Sequence, residues 1–522
     1  MEPGPYKTNV TNNWNSFFSN VSRQGTIFDS PIADNGRYYA FLSKADYDES
    51  TDTWSVMFEV QPAKWVINVF EAGSVQINYM APVGPASIFH LTSVLTNPLL
   101  EKLGLSSTDD LAEGTWYAIA IEKQDSGPLN GIFYNPDIDT NPNNLALFYG
   151  NYGLNSAELA VELILNVYTP NIPVPRRGVK RKDWPVKVNN ALAVRTTLKA
   201  KRQRITRAKY IKAGMFAVAP PVTSIGAMDI GQGNCNLLLD TNNEPFTYFD
   251  IGYPLWFYVG SLPANLNYAN LGGAYLGPIA QNTANDLEVV LSHWDWDHWR
   301  MGKIANMITL PWLVPNQPVG GSALNFFNSL TNVQIYGGAP FNAAGNTFTL
   351  HRCNPIGLPA AAVLNNSGIA MKVNMLLPTA SAVPTEVMMT ADANFNKVAG
   401  YPFVNLTGIE AVHHGSNAHG ASNNLPVPMV NPAGTGRIFY SYGIRKPSVG
   451  PLVYVYGFPV AASVTDYHTA GWTVENGTAE GLHIRALPTV QTYRGNVRVG
   501  SNAQLPVAYN NTAFYNFPNR IN

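Results

Sequence analysis

Short apolar runs separated by polar turns dominate the first third of the chain. Short apolar runs bounded by polar turns are typical of strands, and these runs lie at residues 38–42, 54–60, 65–70, 74–79 and 116–121. Longer helical periodicity predicts one helix near 91–103 and another near 156–167. Residues 1–172 are therefore expected to form a strand-rich α+β domain. No catalytic cluster lies in it, and a protein partner is one candidate for what it binds.

The pattern changes after residue 215, where buried runs are followed by loops that carry acidic or imidazole side chains. Strands are predicted at 236–239, 246–249, 287–291, 370–377, 386–390 and 408–412, and a helix at 300–308. Three of these strands end near Asp250, Asp392 and His413. Functional groups at the ends of successive strands are what a layered α/β scaffold offers. We therefore expect residues 215–522 to form an α/β domain that carries the chemistry.

Composition allows several domains and removes some classes of function. A chain of 522 residues is long enough for two to four domains, and 46% hydrophobic content supports real cores. Charged residues make up only 13%, and the formal net charge is −1. The whole molecule therefore has no general attraction to nucleic acid or to anionic lipid, and any such attraction must be local.

A basic segment at residues 173–214 separates the two halves. It holds 14 of the 33 Lys and Arg residues, all between positions 176 and 212, with Asp183 as its single acid. One interpretation is a solvated linker or connecting helix, which could also dock on the protein itself or on a partner subunit. The other is a phosphate-binding strip for nucleic acid. The residues expected to contact the phosphates are Lys199, Lys201, Arg202 and Arg204.

Cysteine usage and the termini indicate the compartment. Cys235 and Cys353 are the only two cysteines, which argues against a disulfide scaffold and favours buried thiols in a reducing environment. The first residues show no signal-peptide pattern, and no apolar run approaches the length of a membrane span. We expect a cytoplasmic protein without a membrane anchor.

The densest chemical signal is the stretch Ser292-His293-Trp294-Asp295-Trp296-Asp297-His298, which directly follows a predicted buried strand. On a loop, His293 and Asp295 can point to one side while Asp297 and His298 reach the other. Two imidazoles and two carboxylates suit a borderline cation such as Zn²⁺, with Mn²⁺ or Fe as alternatives. A surface loop with internal ion pairs is the competing interpretation.

Further ligands are expected downstream, because a binuclear site needs about six protein ligands, one of them a bridging carboxylate. Asp392 follows an apolar strand, although an Asp in that place is also a common helix cap. The pair His413-His414 follows the next strand. Adjacent histidines also occur by chance on surfaces, so the order of the three motifs carries more weight than any one of them.

Residues 216–500 resemble the metallo-β-lactamase superfamily. The resemblance is strongest to the hydrolase domain of ComEC-type competence proteins and to related phosphorylcholine esterases. It rests on five motifs in the family's order: Asp229-Ile230-Gly231-Gln232-Gly233, the 291–298 stretch, Asn365-Asn366-Ser367, Thr390-Ala391-Asp392-Ala393 and His413-His414-Gly415-Ser416. It does not extend to residues 1–215. The resemblance implies an αββα sandwich with two metal ions at one edge.

By the same resemblance, His293 and Asp295 would hold one ion, and Asp297 and His298 the second. Asp392 would bridge them, and His414 would complete the second site, leaving His413 facing the substrate. The ions would be Zn²⁺ by preference, with Mn²⁺ as the alternative. The implied activity is that of a phosphodiesterase or nuclease that uses a metal-bridging hydroxide, with Asp297 and His413 as catalytic residues. Hydrolysis of a small phosphoester, lactone or thioester, or a metal-stabilised binding scaffold, are the alternatives.

Several positions depart from the family pattern. Asn234 stands where relatives often have Asp, and a cluster of Trp294, Trp296 and Trp299 surrounds the metal motif. These rings could simply pack, or they could stack a base or enclose an apolar group. The His-Pro that often follows the motif equivalent to Tyr440-Ser441-Tyr442-Gly443 is missing.

Overall fold

The structure is a computed structural model. It describes residues 35–48, 53–62, 87–93, 96–106, 111, 113–114, 116–124, 127–135, 147–159, 215–216, 219–242, 244–254, 287–303, 305–317, 319–356, 364–375, 385–416, 424–429, 436–443, 458–480, 493–494, 497–500 and 507–508. The whole basic segment at 173–214 lies outside the described residues. The predicted strands at 65–70 and 74–79 lie outside them too.

The chain divides into two compact units. Unit 1 comprises Met1–Leu198, Gln317–Ser329 and Pro359–Val363, and unit 2 comprises Lys199–Asn316, Leu330–Leu358 and Leu364–Asn522. The described α-helices are α1 (Thr96–Leu103), α2 (Trp296–Trp299), α3 (Ala305–Ile308), α4 (Gly321–Ser329) and α5 (Ala461–Thr469). Each of them is too short or too polar to cross a membrane.

Unit 1 is built on a closed barrel of six antiparallel strands in the order β1-β2-β3-β5-β6-β4. The strands are β1 (Asn35–Asp48), β2 (Thr53–Pro62), β3 (Ser87–Ser93), β4 (Trp116–Lys123), β5 (Asn130–Asn135) and β6 (Leu147–Leu159). Alternate residues such as Tyr38, Ala40 and Leu42 join one hydrophobic core, as the period of two requires. The predicted strands at 38–42, 54–60 and 116–121 are confirmed.

Both helices predicted in this half need correction. Residues 91–93 are the end of β3, and α1 begins only at Thr96. The predicted helix near 156–167 is wrong at its start, because residues 156–159 belong to β6, and residues 160–167 lie outside the described part. Ser156 pairs with Ala120 and Leu159 with Tyr117 of β4. Closing the barrel satisfies those backbone groups, and this tertiary pairing overrides the helical pattern.

Unit 2 contains two large sheets. One has the order β12-β11-β10-β9-β8-β7-β22-β23, the other β13-β14-β15-β16-β17-β18-β19, and β20 pairs with β21. The strands are β7 (Ser224–Ala227), β8 (Asn236–Leu239), β9 (Pro245–Phe249), β10 (Glu288–Val290), β11 (Pro311–Val314), β12 (Asn332–Ile335), β13 (Phe341–Asn342), β14 (Phe348–Arg352), β15 (Ile369–Met375), β16 (Thr385–Met389), β17 (Leu406–Glu410), β18 (Arg437–Tyr440), β19 (Val474–Gly477), β20 (Ala479–Glu480), β21 (Tyr493–Arg494), β22 (Val497–Gly500) and β23 (Val507–Ala508).

One hydrophobic core joins the two sheets of unit 2. Leu238 and Val290 from the first sheet lie in the same buried cluster as Met371, Val387 and Phe439 from the second. The protein is therefore mixed α/β with far more strand than helix, as expected. The strands predicted from residue 236 onward are confirmed within two residues at each end. The helix predicted at 300–308 is α-helical only at Ala305–Ile308, because Arg300–Lys303 form a 3₁₀ turn.

Parallel pairing brings the functional loops of unit 2 to one edge. Strands β9 to β12 run parallel in the first sheet, and β16 to β19 run parallel in the second. Their carboxyl ends lead into Asp250, the 292–298 loop, Asp392, His413 and Ser441. Residues far apart in the sequence thus meet where the strands end.

Candidate metal centre

The loop at 292–298, called the metal loop below, is held by backbone contacts that leave little freedom. The Asp297 carbonyl accepts the Asn234 N–H at 2.9 Å, and the His298 carbonyl accepts the Ile251 N–H at 2.8 Å. A Cβ on Gly252 would lie 1.7 Å from the Asp297 oxygen, so only glycine fits there. Asn234 thus contacts this loop through its backbone.

A first group of side chains gathers around one oxygen of Asp392. His293 Nε2 lies 3.5 Å from Asp392 Oδ2 and 3.4 Å from Asp295 Oδ2. His413 Nε2 lies 3.5 Å from the same Asp392 oxygen. Four side chains therefore point at one small volume.

A second group gathers around the other oxygen. His298 Nε2 lies 3.2 Å from Asp392 Oδ1 and 3.9 Å from Asp297 Oδ1. His414 Nε2 lies 3.3 Å from Asp297 Oδ2. The Asp392 carboxylate thus stands between two groups and directs one oxygen toward each.

These groups could hold metal ions. Donor atoms about 2.0–2.1 Å from a shared tetrahedral ion are roughly 3.3 Å apart, close to the 3.2–3.9 Å separations found here. All seven side chains are at most 3% exposed. His293 Nε2, His298 Nε2 and both Asp392 oxygens form no hydrogen bond with the described residues. These four atoms face one another in two pairs, and cations bound between them would satisfy all four.

The far nitrogens of three imidazoles are anchored by residues outside the two groups. His298 Nδ1 is 2.8 Å from Asp250 Oδ2, and His414 Nδ1 donates to the Ser441 carbonyl at 2.6 Å. His293 Nδ1 lies 3.0 Å from Ser292 Oγ, which itself donates to Asp250 Oδ2 at 2.7 Å. Such anchoring fixes the tautomer and turns Nε2 inward, as metal-binding histidines require.

Sequence reasoning assigned no role to Asp250, Ser292 or Ser441. The signal available in the sequence was the stretch Asp250-Ile251-Gly252 directly after a predicted strand. In the structure, Asp250 has a φ of 66°. An Asp in the left-handed region at a strand end is uncommon. Asp250 Oδ1 accepts the Ser292 N–H at 2.6 Å, and Asp250 Oδ2 lies 2.8 Å from His298 Nδ1. These contacts connect the end of β9 to the metal loop.

Electrostatics show a site that draws positive charge. Burial lowers the pKa of His298, but Asp392 and Asp250 more than offset it and hold that pKa well above its ordinary value. Burial and His298 lower the pKa of His293, yet Asp295 and Asp392 leave it raised. Burial raises the pKa of Asp392, but His413, His298 and His293 hold it well below its usual range. The buried carboxylates favour any cation that fits, whether protons on the rings or a metal ion.

Backbone strain is concentrated at the same place. Ala391, His413 and His414 have φ values of 51°, 46° and 57°, in the left-handed region that non-glycine residues rarely adopt. Two consecutive strained histidines direct one ring to each group. The His413 N–H donates to the Ala391 carbonyl at 2.9 Å, which couples this turn to the Asp392 loop. Strain of this kind accumulates at functional sites.

The three tryptophans of the metal loop are buried and pack. Trp294 Nε1 donates to the Pro315 carbonyl at 3.2 Å, and Trp299 Nε1 donates to the Trp294 carbonyl at 3.0 Å. Trp296 and Trp299 are each at most 1% exposed, with ring centroids 5.3 Å apart. The packing interpretation therefore holds for the rings as they stand.

The structure brings together the predicted ligands His293, Asp295, Asp297, His298, Asp392 and His414, with His413 beside them. Lys199, Lys201, Arg202 and Arg204 lie outside the described residues. Both cysteines are free and buried, and burial raises the pKa of both thiols, that of Cys353 to about 12. No protein-family model and no curated protein matches the sequence.

Proposed function

We propose that unit 2 is a binuclear metal-dependent hydrolase of phosphodiesters, with nucleic acid as the preferred substrate class. The observation that carries the proposal is the Asp392 carboxylate, which directs one oxygen toward each of two ligand groups. A buried carboxylate in that position suits a bridging ligand. The two sheets on one core are compatible with the αββα arrangement of metallo-β-lactamases, which we propose for this unit.

The distances suggest how the ligands divide. His293, Asp295 and His413 would hold one ion with Asp392 Oδ2, and Asp297, His298 and His414 would hold the other with Asp392 Oδ1. We propose His413 as a ligand, since its Nε2 lies as close to Asp392 as that of His293 does. This replaces the substrate-facing role expected from the sequence. Mixed imidazole and carboxylate donors favour Zn²⁺, with Mn²⁺ as the alternative.

Bound divalent ions would supply Lewis acidity, which lowers the pKa of water and polarises a phosphoryl oxygen. The protein's own share is to fix the ligand geometry through Asp250, Ser292 and Ser441 and to hold the carboxylates in a dry setting. Neither Ser416 nor Cys235 is needed as a nucleophile, and both are buried. We propose a structural role for both residues.

The preference for phosphodiesters rests on the motif order and on the basic segment at 176–212, and it needs a direct assay. Hydrolysis of single-stranded DNA, duplex DNA, RNA and bis(p-nitrophenyl) phosphate would be followed with Zn²⁺, with Mn²⁺ and with EDTA. We expect polymer cleavage that EDTA removes and that Asp297→Asn abolishes. Asp240→Asn is the matched control, since Asp240 is a buried carboxylate that caps the β8–β9 turn through the N–H groups of Asn242 and Glu244.

The other outcomes separate the competing functions. Cleavage of bis(p-nitrophenyl) phosphate alone would indicate a phosphodiesterase of small molecules. Two bound metal ions without turnover of any phosphodiester would contradict the proposal and favour a lactone or thioester substrate, or a scaffold role. Neutralising Lys199, Lys201, Arg202 and Arg204 should weaken nucleic-acid binding and flatten its salt dependence if the basic segment is the substrate track.

A further inference from the structure

A small polar cleft lies at the same edge of unit 2 as the metal centre. It sits where β11, β12 and β14 end and β15 begins, and it encloses about 60 Å³. A cavity of that size can hold roughly four waters or a small oxyanion. The residues that line it and matter below are Pro315, Gly338, Arg352, Ser367 and Gly368. We call it the Arg352 cleft.

Two of its walls touch the metal loop. A Cβ on Gly368 would lie 2.2 Å from the Ser292 carbonyl oxygen and 3.2 Å from the His293 Cβ. On the other wall, the Pro315 carbonyl accepts the Trp294 indole N–H at 3.2 Å. Two walls of the cleft therefore pack directly against the metal loop.

The cleft is positively charged. Among the described residues that line it, Arg352 is the one charged residue, and the others are Pro, Asn, Tyr, Gly and Ser. The Arg352 side chain lies along Gly338, where an added Cβ would meet Arg352 Cδ at 3.0 Å. A glycine there, at a φ of 86°, lets the guanidinium stem pass close to the backbone. A guanidinium with hydroxyl and amide neighbours is suited to bidentate binding of phosphate.

From this placement we propose that the Arg352 cleft is an oxyanion subsite that takes a phosphate of the substrate next to the bond being cleaved. Its place in the substrate rests on the proposed hydrolase function, whereas its affinity for an oxyanion does not. The subsite would make a polymer or a nucleotide with a second phosphate a better substrate than a simple diester. Arg352 would be a specificity-determining residue without being a metal ligand.

The first test measures binding without activity. Inorganic phosphate is titrated into EDTA-treated protein and followed by ³¹P NMR line broadening and by calorimetry. We expect saturable binding that Arg352→Ala weakens about tenfold or more, the usual size of a charged hydrogen-bonded contact. Arg352→Lys should keep part of the phosphate affinity, because it keeps the positive charge and loses only the two-point contact that a guanidinium makes.

The matched control is Lys372→Gln, which removes one positive charge from β15, where Lys372 pairs with Glu386 at 3.0 Å. Phosphate affinity should not change in it. Absence of phosphate binding by the wild type, or equal affinity in wild type and Arg352→Ala, would overturn the proposal.

The second test separates this subsite from the hydrolase proposal. KM is compared for p-nitrophenyl thymidine 5′-phosphate with and without a 3′-phosphate, using metal-loaded protein. Arg352→Ala should raise KM about tenfold for the doubly phosphorylated ester and leave metal content, and KM for the simple ester, unchanged. If both esters are hydrolysed and Arg352→Ala raises KM equally for both, the proposed subsite is wrong and the hydrolase proposal stands. If neither is hydrolysed while phosphate binding still depends on Arg352, the hydrolase is wrong and the oxyanion subsite stands.

Discussion

His90 in the barrel of unit 1 and His298 in the candidate metal centre of unit 2 are both fully buried, yet their pKa values move in opposite directions. Burial lowers the pKa of His90 from 6.5 to about 3. For His298, Asp392 and Asp250 outweigh burial and raise the pKa well above 6.5. Burial alone keeps a histidine neutral, whereas converging carboxylates create a demand for positive charge.

The barrel distributes its buried polar groups, and the metal centre concentrates them. In unit 1, Ser55 Oγ contacts His90 Nε2 at 2.5 Å, Glu113 accepts the Ala45 N–H at 3.0 Å, and Glu59 accepts the Ser322 N–H at the start of α4 at 2.9 Å. Each contact joins one buried polar side chain to a different backbone or side-chain partner. In unit 2, seven titratable side chains point at each other. The polar contacts of the barrel stabilise the fold, whereas the seven converging side chains of unit 2 could bind cations.

The largest expected effect is at Asp392. Asp392→Asn keeps the shape and removes the charge that faces both ligand groups, so metal content should fall from two ions to one or none. Activity should fall by more than roughly 100-fold, beyond the loss typical of a residue that only supports a ligand. Metal content by mass spectrometry and phosphodiester turnover measure the two effects.

The barrel supplies the control for that experiment. His90→Asn changes a buried histidine of unit 1 and should leave two ions bound. The proposed difference between the two regions would be contradicted if Asp392→Asn still bound two ions tightly, or if His90→Asn lost metal.

The next effect is in the barrel core. Phe133 is fully buried and packs edge-on against Tyr38 and Tyr152 at centroid distances of 5.4 and 5.5 Å. Phe133→Ala should lower the free energy of unfolding of unit 1 by about 3–5 kcal/mol, because a cavity replaces the ring. Denaturant titration measures it, with Glu101→Ala, at an exposed side chain of α1 in the same unit, as the neutral control. A stability change below 1 kcal/mol in Phe133→Ala would show that this ring is not part of the core.

A smaller effect is expected at Asp250. Asp250→Asn weakens the anchor of His298 Nδ1 and of Ser292, so metal affinity should fall about 10–100-fold while the fold persists. Competition with a fluorescent zinc chelator measures the affinity, and Asp240→Asn gives the baseline for loss of a buried carboxylate. Equal affinity in Asp250→Asn and wild type would show that His298 needs no anchor.

The smallest effect tests the barrel histidine itself. Because the folded pKa of His90 is depressed to about 3, only the unfolded state binds its proton between about pH 6.5 and 3. The free energy of unfolding of unit 1 should therefore fall as pH decreases through that window, by up to about 1.4 kcal/mol for each pH unit. Urea titrations at pH 7.0 and 5.5 measure it. His90→Gln should reduce the slope, and an unchanged slope would mean that other groups cause it.

The sequence was most informative where a single strand and its loop carry the signal. The metal loop, Asp392 and His413-His414 each follow a strand of parallel pairing, so their convergence follows from the strand order. Asp250 was not recognised as a positioning residue, because its partner Ser292 lies 42 residues away and only the β9–β10 pairing brings them together. The helix error near 156–167 has the same origin, since barrel closure decides the structure there.

The roles of individual residues within the site could be assigned only from the three-dimensional structure. The resemblance implied that His414 is a ligand and that His413 faces the substrate, whereas the left-handed turn directs the two rings to different ligand groups. The Arg352 cleft has no sequence signature, because its walls come from four separate strand ends.

The most direct measurement is anomalous X-ray diffraction at the zinc absorption edge, on crystals of the full chain soaked in Zn²⁺. We expect two peaks, one between Asp392 Oδ2, His293 and His413 and the other between Asp392 Oδ1, His298 and His414. No peak at Asp392, or a single peak that leaves one of the two groups empty, would contradict a binuclear centre.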